Sequence, residues 1–345
     1  MKRYGNLYHK IIDIDNLRLA HKNARKNKTK YKEIVEVDKD PEYYIQKLHK
    51  MLVEGKYVCS PYEMFIKNDS GKEREIFRVP YFPDRILQHA IMQVVEPIWK
   101  KTLINDTFQA IKGRGVHKCK KKVEYVVQEL KYKYCLQVDV KKFYPSISNH
   151  VLKATVRKKI KCRETLKLLD AIIEGHDGVP IGNYISQYFA NLVLSDIDHY
   201  CKEVLGAKYY YRYCDDILVI SDSKEYLHTL RIEINRLLNS KGLAMKGNYQ
   251  VYKITKDRGV NCFGFTVYPD TTKLRRSIAN AFSKCCLCSE IELTLPAYYG
   301  WIKHLPNGIG IWNKALRGRR MTTNELVIIG SLTLKLRNKH EKNRK

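Results

Sequence analysis

Three aspartates set the chemistry this chain could perform. Asp215 and Asp216 are adjacent within Tyr209-Tyr210-Tyr211-Arg212-Tyr213-Cys214-Asp215-Asp216-Ile217-Leu218-Val219-Ile220. Aspartate is a poor strand residue, yet this pair is bracketed by aromatic and β-branched residues, which puts it at the tip of a hairpin. Two neighbouring carboxylates repel, and a proton or a cation relieves them; a bare Asp-Asp hairpin connector satisfies the same local pattern. Asp139 changes the balance. In Leu136-Gln137-Val138-Asp139-Val140 the three apolar residues share one strand face, so Asp139 projects from the other. Taken singly it reads as a solvated strand aspartate. On a strand next to the Asp-Asp pair it completes an all-oxygen cage for two Mg²⁺ ions. Such a cage supports in-line phosphoryl transfer, one ion activating a 3′-hydroxyl and the other steadying a triphosphate and its leaving group.

These carboxylates need strands to hold them, and the sequence supplies strands among helices. Residues 134–140 alternate as one strand and 209–220 as a stronger one. Between them a helix from about 186 to 204 places Phe189, Leu192, Val193 and Ile197 on one side. Another helix over 224–240 carries Leu227, Leu230, Ile234, Leu237 and Leu238 and stops at Gly242. Residues 251–254 and 261–268 read as short closing strands. Upstream, 60–80 reads as a hairpin turning at Asn68-Asp69-Ser70-Gly71, followed by a helix from Asp84. The first 55 residues and the last 70 read as helical. Strands interleaved with helices make this an α+β fold with a mainly antiparallel sheet. No internal repeat or long flexible linker divides it.

With 64 Lys+Arg against 36 Asp+Glu, the 345 residues carry a formal net charge of +28. Self-repulsion on that scale destabilises a compact chain unless an anionic partner gains from it. The basic residues run from 22–32 through 118–122 to 317–345. A distributed excess suits a long polyanion, and nucleic acid is the leading candidate. At 44% hydrophobic and 29% charged the composition is globular. No apolar run approaches the roughly 18 residues of a spanning helix, which argues against a membrane protein. The N-terminus leads into no apolar signal region. Ten cysteines, mostly single among apolar residues, read as reduced core thiols of a cytoplasmic protein.

Tyr213-Cys214-Asp215-Asp216 resembles the Tyr-x-Asp-Asp box of reverse transcriptases. Asp139-Val140-Lys141-Lys142-Phe143-Tyr144-Pro145-Ser146-Ile147 resembles their first palm motif, an Asp followed five residues later by an aromatic. Chain order and separation fit as well, over roughly residues 60–270. The resemblance implies a right-hand polymerase: an N-terminal helical extension over 1–59, fingers over 60–132, a palm over 133–270 with a fingers insertion at about 150–178, and a helical thumb with a basic tail over 271–345. It implies two Mg²⁺ ions, or Mn²⁺ in their place, held by Asp139, the Val140 backbone, Asp215 and Asp216. Template RNA, the RNA/cDNA hybrid and dNTPs are the implied partners. Tyr144 falls at the steric gate, where an aromatic ring lies against the sugar C2′; an arbitrary Tyr would be a core aromatic. Lys72 and Arg74 resemble the basic pair that grips the triphosphate, with Arg78 competing for the second place. Arg114 resembles another fingers site, or a template contact. Tyr213 lies in the box itself, and Asn261-Cys262-Phe263-Gly264-Phe265 resembles the primer grip, a tight turn presenting backbone to the primer end. Lys246 is the candidate for a general-acid lysine.

One departure separates this sequence from most of that family. Where most members read Gln-Gly-x-x-x-Ser-Pro in the second palm motif, this chain reads Ile181-Gly182-Asn183-Tyr184-Ile185-Ser186-Gln187. The substituted form resembles the reverse transcriptases of diversity-generating retroelements, which copy a template repeat with errors at adenines. That resemblance implies an oligomeric accessory protein encoded nearby. A defence-associated bacterial reverse transcriptase is the alternative. Physically, a glutamine can hydrogen-bond near the nascent base pair, whereas an isoleucine offers only shape, and a pocket that reads only bulk discriminates far less. Ile181 therefore predicts a tolerant nucleotide site, with simple packing beside Gly182 as the other reading. Cys285-Cys286-Leu287-Cys288 has no partner pair at zinc-finger spacing and reads as thiols in a helix. His176-Asp177 and Ser186 lack the context of a hydrolase triad.

Overall fold

The computed structural model describes residues 2–69, 72–286, 291–317 and 328–336. Four helices open the chain: α1 (Tyr8–Ile12), α2 (Ile14–Ala24), α3 (Lys32–Lys39) and α4 (Pro41–Val53). Their boundaries are chemically marked. Asp13 accepts the Asn16 N–H at the start of α2, and Asp40 accepts the Tyr43 N–H at the start of α4, where Pro41 supplies the preset first turn. The expected hairpin follows as β1 (Glu63–Asp69) and β2 (Lys72–Arg78), antiparallel with Glu63 opposite Arg78.

Helix α5 (Ile86–Lys100) buries Ile86, Leu87, Ala90, Ile91 and Val95. It does not begin at Asp84 as the pattern suggested. A wider turn over Tyr81–Arg85 precedes it, because the Asp84 carboxylate is wholly buried and accepts from the Tyr57 hydroxyl (2.7 Å) and the Ser60 N–H (3.1 Å). The middle of the chain contributes α6 (Val116–Glu124), β3 (Tyr134–Val138), α7 (Phe143–Ser146), α8 (Asn149–Arg157), α9 (Arg163–Glu174) and α10 (Ser186–His199). Then come β4 (Tyr209–Tyr213), β5 (Asp216–Ser221), α11 (Lys224–Asn239), β6 (Gln250–Lys253), β7 (Val260–Cys262), β8 (Phe265–Val267) and β9 (Thr272–Leu274). Helices α12 (Arg276–Cys285), α13 (Ile291–Ile302) and α14 (Gly308–Leu316) follow, and residues 328–336 are helical as well. The stretch read as one strong strand over 209–220 is thus two strands folded back at the aspartates.

Strands β4, β5, β3 and β6 form a four-stranded sheet in that order, with β3, which leads into Asp139, next to β5. Strands β7, β8 and β9 form an antiparallel three-stranded sheet. The chain divides into two compact units. The first holds Met1–Lys112, Gln137–Ile217 and His228–Gln250, and the second holds Gly113–Leu136, Leu218–Leu227 and Val251–Lys345. The second has its own core around Phe265, Phe282, Leu295, Ile302 and Trp312. No helix among the described residues is long and apolar enough to cross a membrane.

Candidate active site

The Asp-Asp pair sits where sequence placed it, and the backbone there is strained. Only Cys214 and Asp215 separate β4 from β5, and Cys214 takes φ +58°. A side-chain-bearing residue in that left-handed region costs free energy and needs its surroundings to hold it. Arg212 does so from the fully buried side of β4. Its Nη1 donates to the Cys214 carbonyl at 2.9 Å and to Asn191 Oδ1 at 3.0 Å. Its Nε and Nη2 grip the two Asp198 oxygens at 2.7 and 2.6 Å. The Tyr210 hydroxyl (2.7 Å) and the Thr107 hydroxyl (3.2 Å) complete the Asp198 shell. Sequence reasoning passed over Arg212; its only signal was an arginine in the middle of an apolar strand.

Asp139 is delivered by a second device. Lys141 N–H donates to the Ala244 carbonyl and Lys246 N–H to the Asp139 carbonyl, each at 2.8 Å, around an antiparallel bridge between Val140 and Met245. That bridge sets Lys246 beside Asp139, and its ammonium donates to Asp139 Oδ2. Among the described residues Asp139 Oδ1 has no hydrogen-bond partner although it is buried. Burial first, and then the charge of Asp139, push the Asp215 carboxyl above the usual carboxylate range. The structure thus brings Asp139 and Asp215 together as a pair short of positive charge. Asp216, at the first position of β5, is exposed. Among the described residues no three His, Cys, Asp or Glu side chains are gathered into a metal-holding group. An orphaned buried carboxylate oxygen facing a second carboxylate fits a hard divalent cation such as Mg²⁺ or Mn²⁺.

The first unit holds several of the residues expected to contact nucleotide, Tyr144 beside the turn that carries Asp215. Tyr144, on α7, is half-buried. Its hydroxyl accepts from Cys214 Sγ at 3.3 Å, and its carbonyl accepts the Val179 N–H at 3.0 Å. Burial pushes the Cys214 thiol up to about 12 and raises Tyr144 as well, so both stay neutral near pH 7. The Ile181 carbonyl accepts the Phe77 N–H at 2.7 Å, strapping the 180–182 segment to β2. Gly182 has φ +122°, and a Cβ there would meet the Phe77 carbonyl oxygen at 2.6 Å. The Ser186 hydroxyl donates to the Pro180 carbonyl at 2.6 Å, which is a loop-fastening role and not that of a nucleophile. Gln187 is exposed in the first turn of α10, and Tyr213 closes β4. Lys72 and Arg74 both lie on β2, Arg74 across from Lys67. Arg78 is engaged by Glu63 (2.6 Å) and Glu33 (3.3 Å).

Arg114, Phe263 and Gly264 belong to the second unit. Arg114 lies two residues before α6. Phe263 (φ +48°) and Gly264 (φ +108°) form the two-residue turn between β7 and β8. A Cβ on Gly264 would come within 2.5 Å of the Trp301 ring, so the glycine lets that ring close over the turn. Cys285 and Cys286 are buried at the end of α12, while Leu287 and Cys288 lie outside the described residues.

A carboxylate pair set between a strained hairpin and a neighbouring strand, on an α+β frame, is the centre of a right-hand polymerase fold. The fold of an apo telomerase from Candida tropicalis is similar, with a TM-score of 0.50 at 12% identity over 83% of this chain and 58% of that one. The model of the family described as "Reverse transcriptase (RNA-dependent DNA polymerase)" matches residues 66–266, and the chain belongs to that family. Among curated relatives it is similar to Protein YkfC of Escherichia coli K12, 26% identical over 46% of this chain and 45% of that protein. It is similar to the Retron Ec73 reverse transcriptase of Escherichia coli, 27% identical over 56% of this chain and 65% of that protein. The Group II intron-encoded protein LtrA of Lactococcus lactis is 22% identical over 57% of this chain and 35% of its own length. The chain therefore spans between about a third and two thirds of the relatives it matches.

Proposed function

We propose that this protein is an RNA-directed DNA polymerase that extends a primer on template RNA by nucleotidyl transfer from dNTPs. The observation that carries the reading is the Asp139–Asp215 pair, with its orphaned Asp139 oxygen, inside the span matched to the family. Asp139, the Val140 backbone, Asp215 and Asp216 would hold two divalent ions. When bound, such ions supply activation of the 3′-hydroxyl and neutralisation of the leaving pyrophosphate. The chain's own work is positioning. Arg212 fixes the turn, the 139–141 and 244–246 bridge fixes Asp139, and the Tyr144 ring limits the room beside the sugar. Lys72 and Arg74 would meet the triphosphate, and Arg114, Tyr213, Phe263 and Gly264 the template and primer. Primer extension on an RNA template with Mg²⁺ tests this. Asp139→Asn and Asp215→Asn should abolish extension while RNA binding stays near wild type; substantial extension by Asp215→Asn sinks the assignment.

The finer reading is a diversity-generating retroelement enzyme making adenine-mutagenised cDNA with an oligomeric accessory protein, supported by Ile181 and Gln187 in the second palm motif. The likeness to a retron reverse transcriptase supports the alternative, a defence-associated enzyme making cDNA during phage infection. A template-repeat and variable-repeat pair in the neighbouring DNA favours the first, and its absence the second.

A further inference from the structure

Helix α9 opens on an unusual residue. Its N-cap, a position that favours Ser, Thr, Asp or Asn, is Cys162, and the helix has no side-chain cap. The sulfur lies where the first turn of α9 meets the start of the chain. There the Tyr4 N–H donates to the Lys159 carbonyl at 2.7 Å and the Lys161 N–H to the Tyr4 carbonyl at 2.8 Å. Cys162 Sγ itself donates to Glu164 Oε2 at 3.4 Å. Beside it Thr165 Oγ1 is wholly buried and has no hydrogen-bond partner among the described residues. An ionised sulfur would supply that hydroxyl with an acceptor. Burial opposes ionisation of Cys162, but the Thr165 side chain and N–H, with the N–H groups of Leu7 and Tyr8, outweigh it and bring the thiol below its ordinary value. Other thiols go the opposite way. Burial pushes Cys135, Cys201 and Cys214 up to about 12 and raises Cys59. Cys162 is also 8% exposed, whereas Cys119, Cys135, Cys201 and Cys262 are at 0%. The charges around it are mixed. Glu164 opposes a thiolate, while Arg163 and Lys167 draw on Glu164, and Lys2, Arg3 and Lys161 stand exposed nearby. Tyr8 is raised by its burial and by Glu164, and its hydroxyl donates to the Leu52 carbonyl, so it stays neutral.

We infer that Cys162 is a modification site, at which a small anionic disulfide forms a mixed disulfide that lifts the N-terminal segment from residues 159–162. Cys162 loses its proton to water, and the thiolate attacks one sulfur of the incoming disulfide. The old S–S bond breaks, the new one forms, and the other half leaves as a thiolate that takes up a proton; the incoming disulfide is the only oxidant. The exposed Lys2, Arg3, Lys161 and Arg163 favour an anionic reagent over a neutral one. The Leu7 and Tyr8 N–H groups lie against the sulfur, so a peptide-sized adduct and the docked segment compete for one place. The inference stands apart from the polymerase reading, since neither the aspartates nor a nucleotide enters it.

The test uses the full reduced chain without nucleotide. Limiting iodoacetamide is applied across a pH series and each alkylated cysteine is located by mass spectrometry. Cys59, partly exposed but raised by its burial, is the internal control. At pH 7 Cys162 should label at least about tenfold faster than Cys59, the ratio that one pKa unit gives, with its midpoint at the lower pH. Thr165→Val removes the hydroxyl but keeps the shape, and should move the Cys162 midpoint up. Glu164→Gln removes the opposing charge and should move it down. Glutathione disulfide should then yield a mixed disulfide at Cys162, reversed by dithiothreitol, and tryptic cleavage after Arg3 and Lys10 should quicken severalfold. Cys162→Ser treated in the same way should show neither change. Labelling of Cys162 no faster than Cys59 would overturn the inference, and that comparison in the wild type decides even if a variant folds poorly. So would a Thr165→Val protein that melts like wild type with an unmoved midpoint. A mixed disulfide at Cys162 that leaves tryptic cleavage unchanged would overturn the release of the N-terminal segment.

Discussion

Arg212 Nη1 donates to the Cys214 carbonyl at 2.9 Å while the same guanidinium holds Asp198 in a fully buried ion pair, so the charge inside the sheet and the turn carrying Asp215 are one construction. Both side chains are 0% exposed. Burying such a pair is expensive, and its geometry must be near ideal to offset the desolvation. Here every Asp198 contact is satisfied, by Arg212, Tyr210 and Thr107.

Removing one partner should therefore be far worse than removing both. Arg212→Met strands Asp198 and should cost about 3–5 kcal/mol of stability. Arg212→Met combined with Asp198→Leu should recover most of that loss in thermal melting. The Cys214 carbonyl stays unheld in the double variant, so its single-turnover extension rate should remain depressed. A double variant that regains both stability and rate would reduce Arg212 to packing.

A pH effect on stability should trace to His89. Its ring stacks on Tyr184 at 3.9 Å with an interplanar angle of 3°. Burial, with Arg85 and Lys28 facing it, lowers its pKa from 6.5 to about 4. Between those values the unfolded chain binds the proton and the folded chain does not, so stability rises with pH. The contribution is fully present above pH 6.5 and fades as pH falls towards 4, a loss on the order of 3 kcal/mol. His89→Phe keeps an apolar stacking ring and should flatten the dependence of the urea midpoint between pH 7 and 4.5; an unchanged slope would assign it elsewhere.

How far the sequence could be read depends on which interactions are local. Asp139, the Asp215 hairpin and the Phe263–Gly264 turn were legible because turn chemistry and strand alternation are encoded within a few residues. Arg212 was not, since its partners Asn191 and Asp198 lie 21 and 14 residues away in sequence on α10. The start of α5 was misplaced for the same reason: Asp84 looks like a helix opener, and only the distant Tyr57 and Ser60 reveal why it is buried instead. Lys246 could be nominated but not placed, because a bridge to Val140 over a hundred residues back sets its position.

Lys246 leads to a prediction about metal demand. Its ammonium occupies one oxygen of Asp139, so cation binding must compete with it. Lys246→Met removes the competitor and should lower the Mg²⁺ or Mn²⁺ concentration at which the metal raises the melting temperature. An unchanged or higher midpoint in a thermal-shift titration would mean that the ion pair does not stand in the metal's way. Extension measured on the same variant would separately show whether the lysine serves the leaving group.

The last prediction concerns copying accuracy and rests on Ile181. Its carbonyl is fixed to the Phe77 N–H at 2.7 Å, and Gly182 leaves no room for a shift against Phe77, so the backbone should hold still when the side chain is changed. Ile181→Gln then adds an amide without moving the strap. A correct base pair keeps its contacts, whereas a misaligned one leaves the new amide unpaired in a partly dry site, at about 1–3 kcal/mol. Roughly 1.4 kcal/mol changes an error ratio about tenfold, which sequencing of cDNA products resolves. Misincorporation should fall, most visibly opposite template adenine if the retroelement reading holds. Activity could drop as well if Ile181 and the exposed Gln187 are mutually adjusted, so errors are counted per nucleotide extended on one template with one nucleotide pool. Identical error spectra for wild type and Ile181→Gln would leave Ile181 as packing and remove the chief support for a mutagenic enzyme over a defence enzyme.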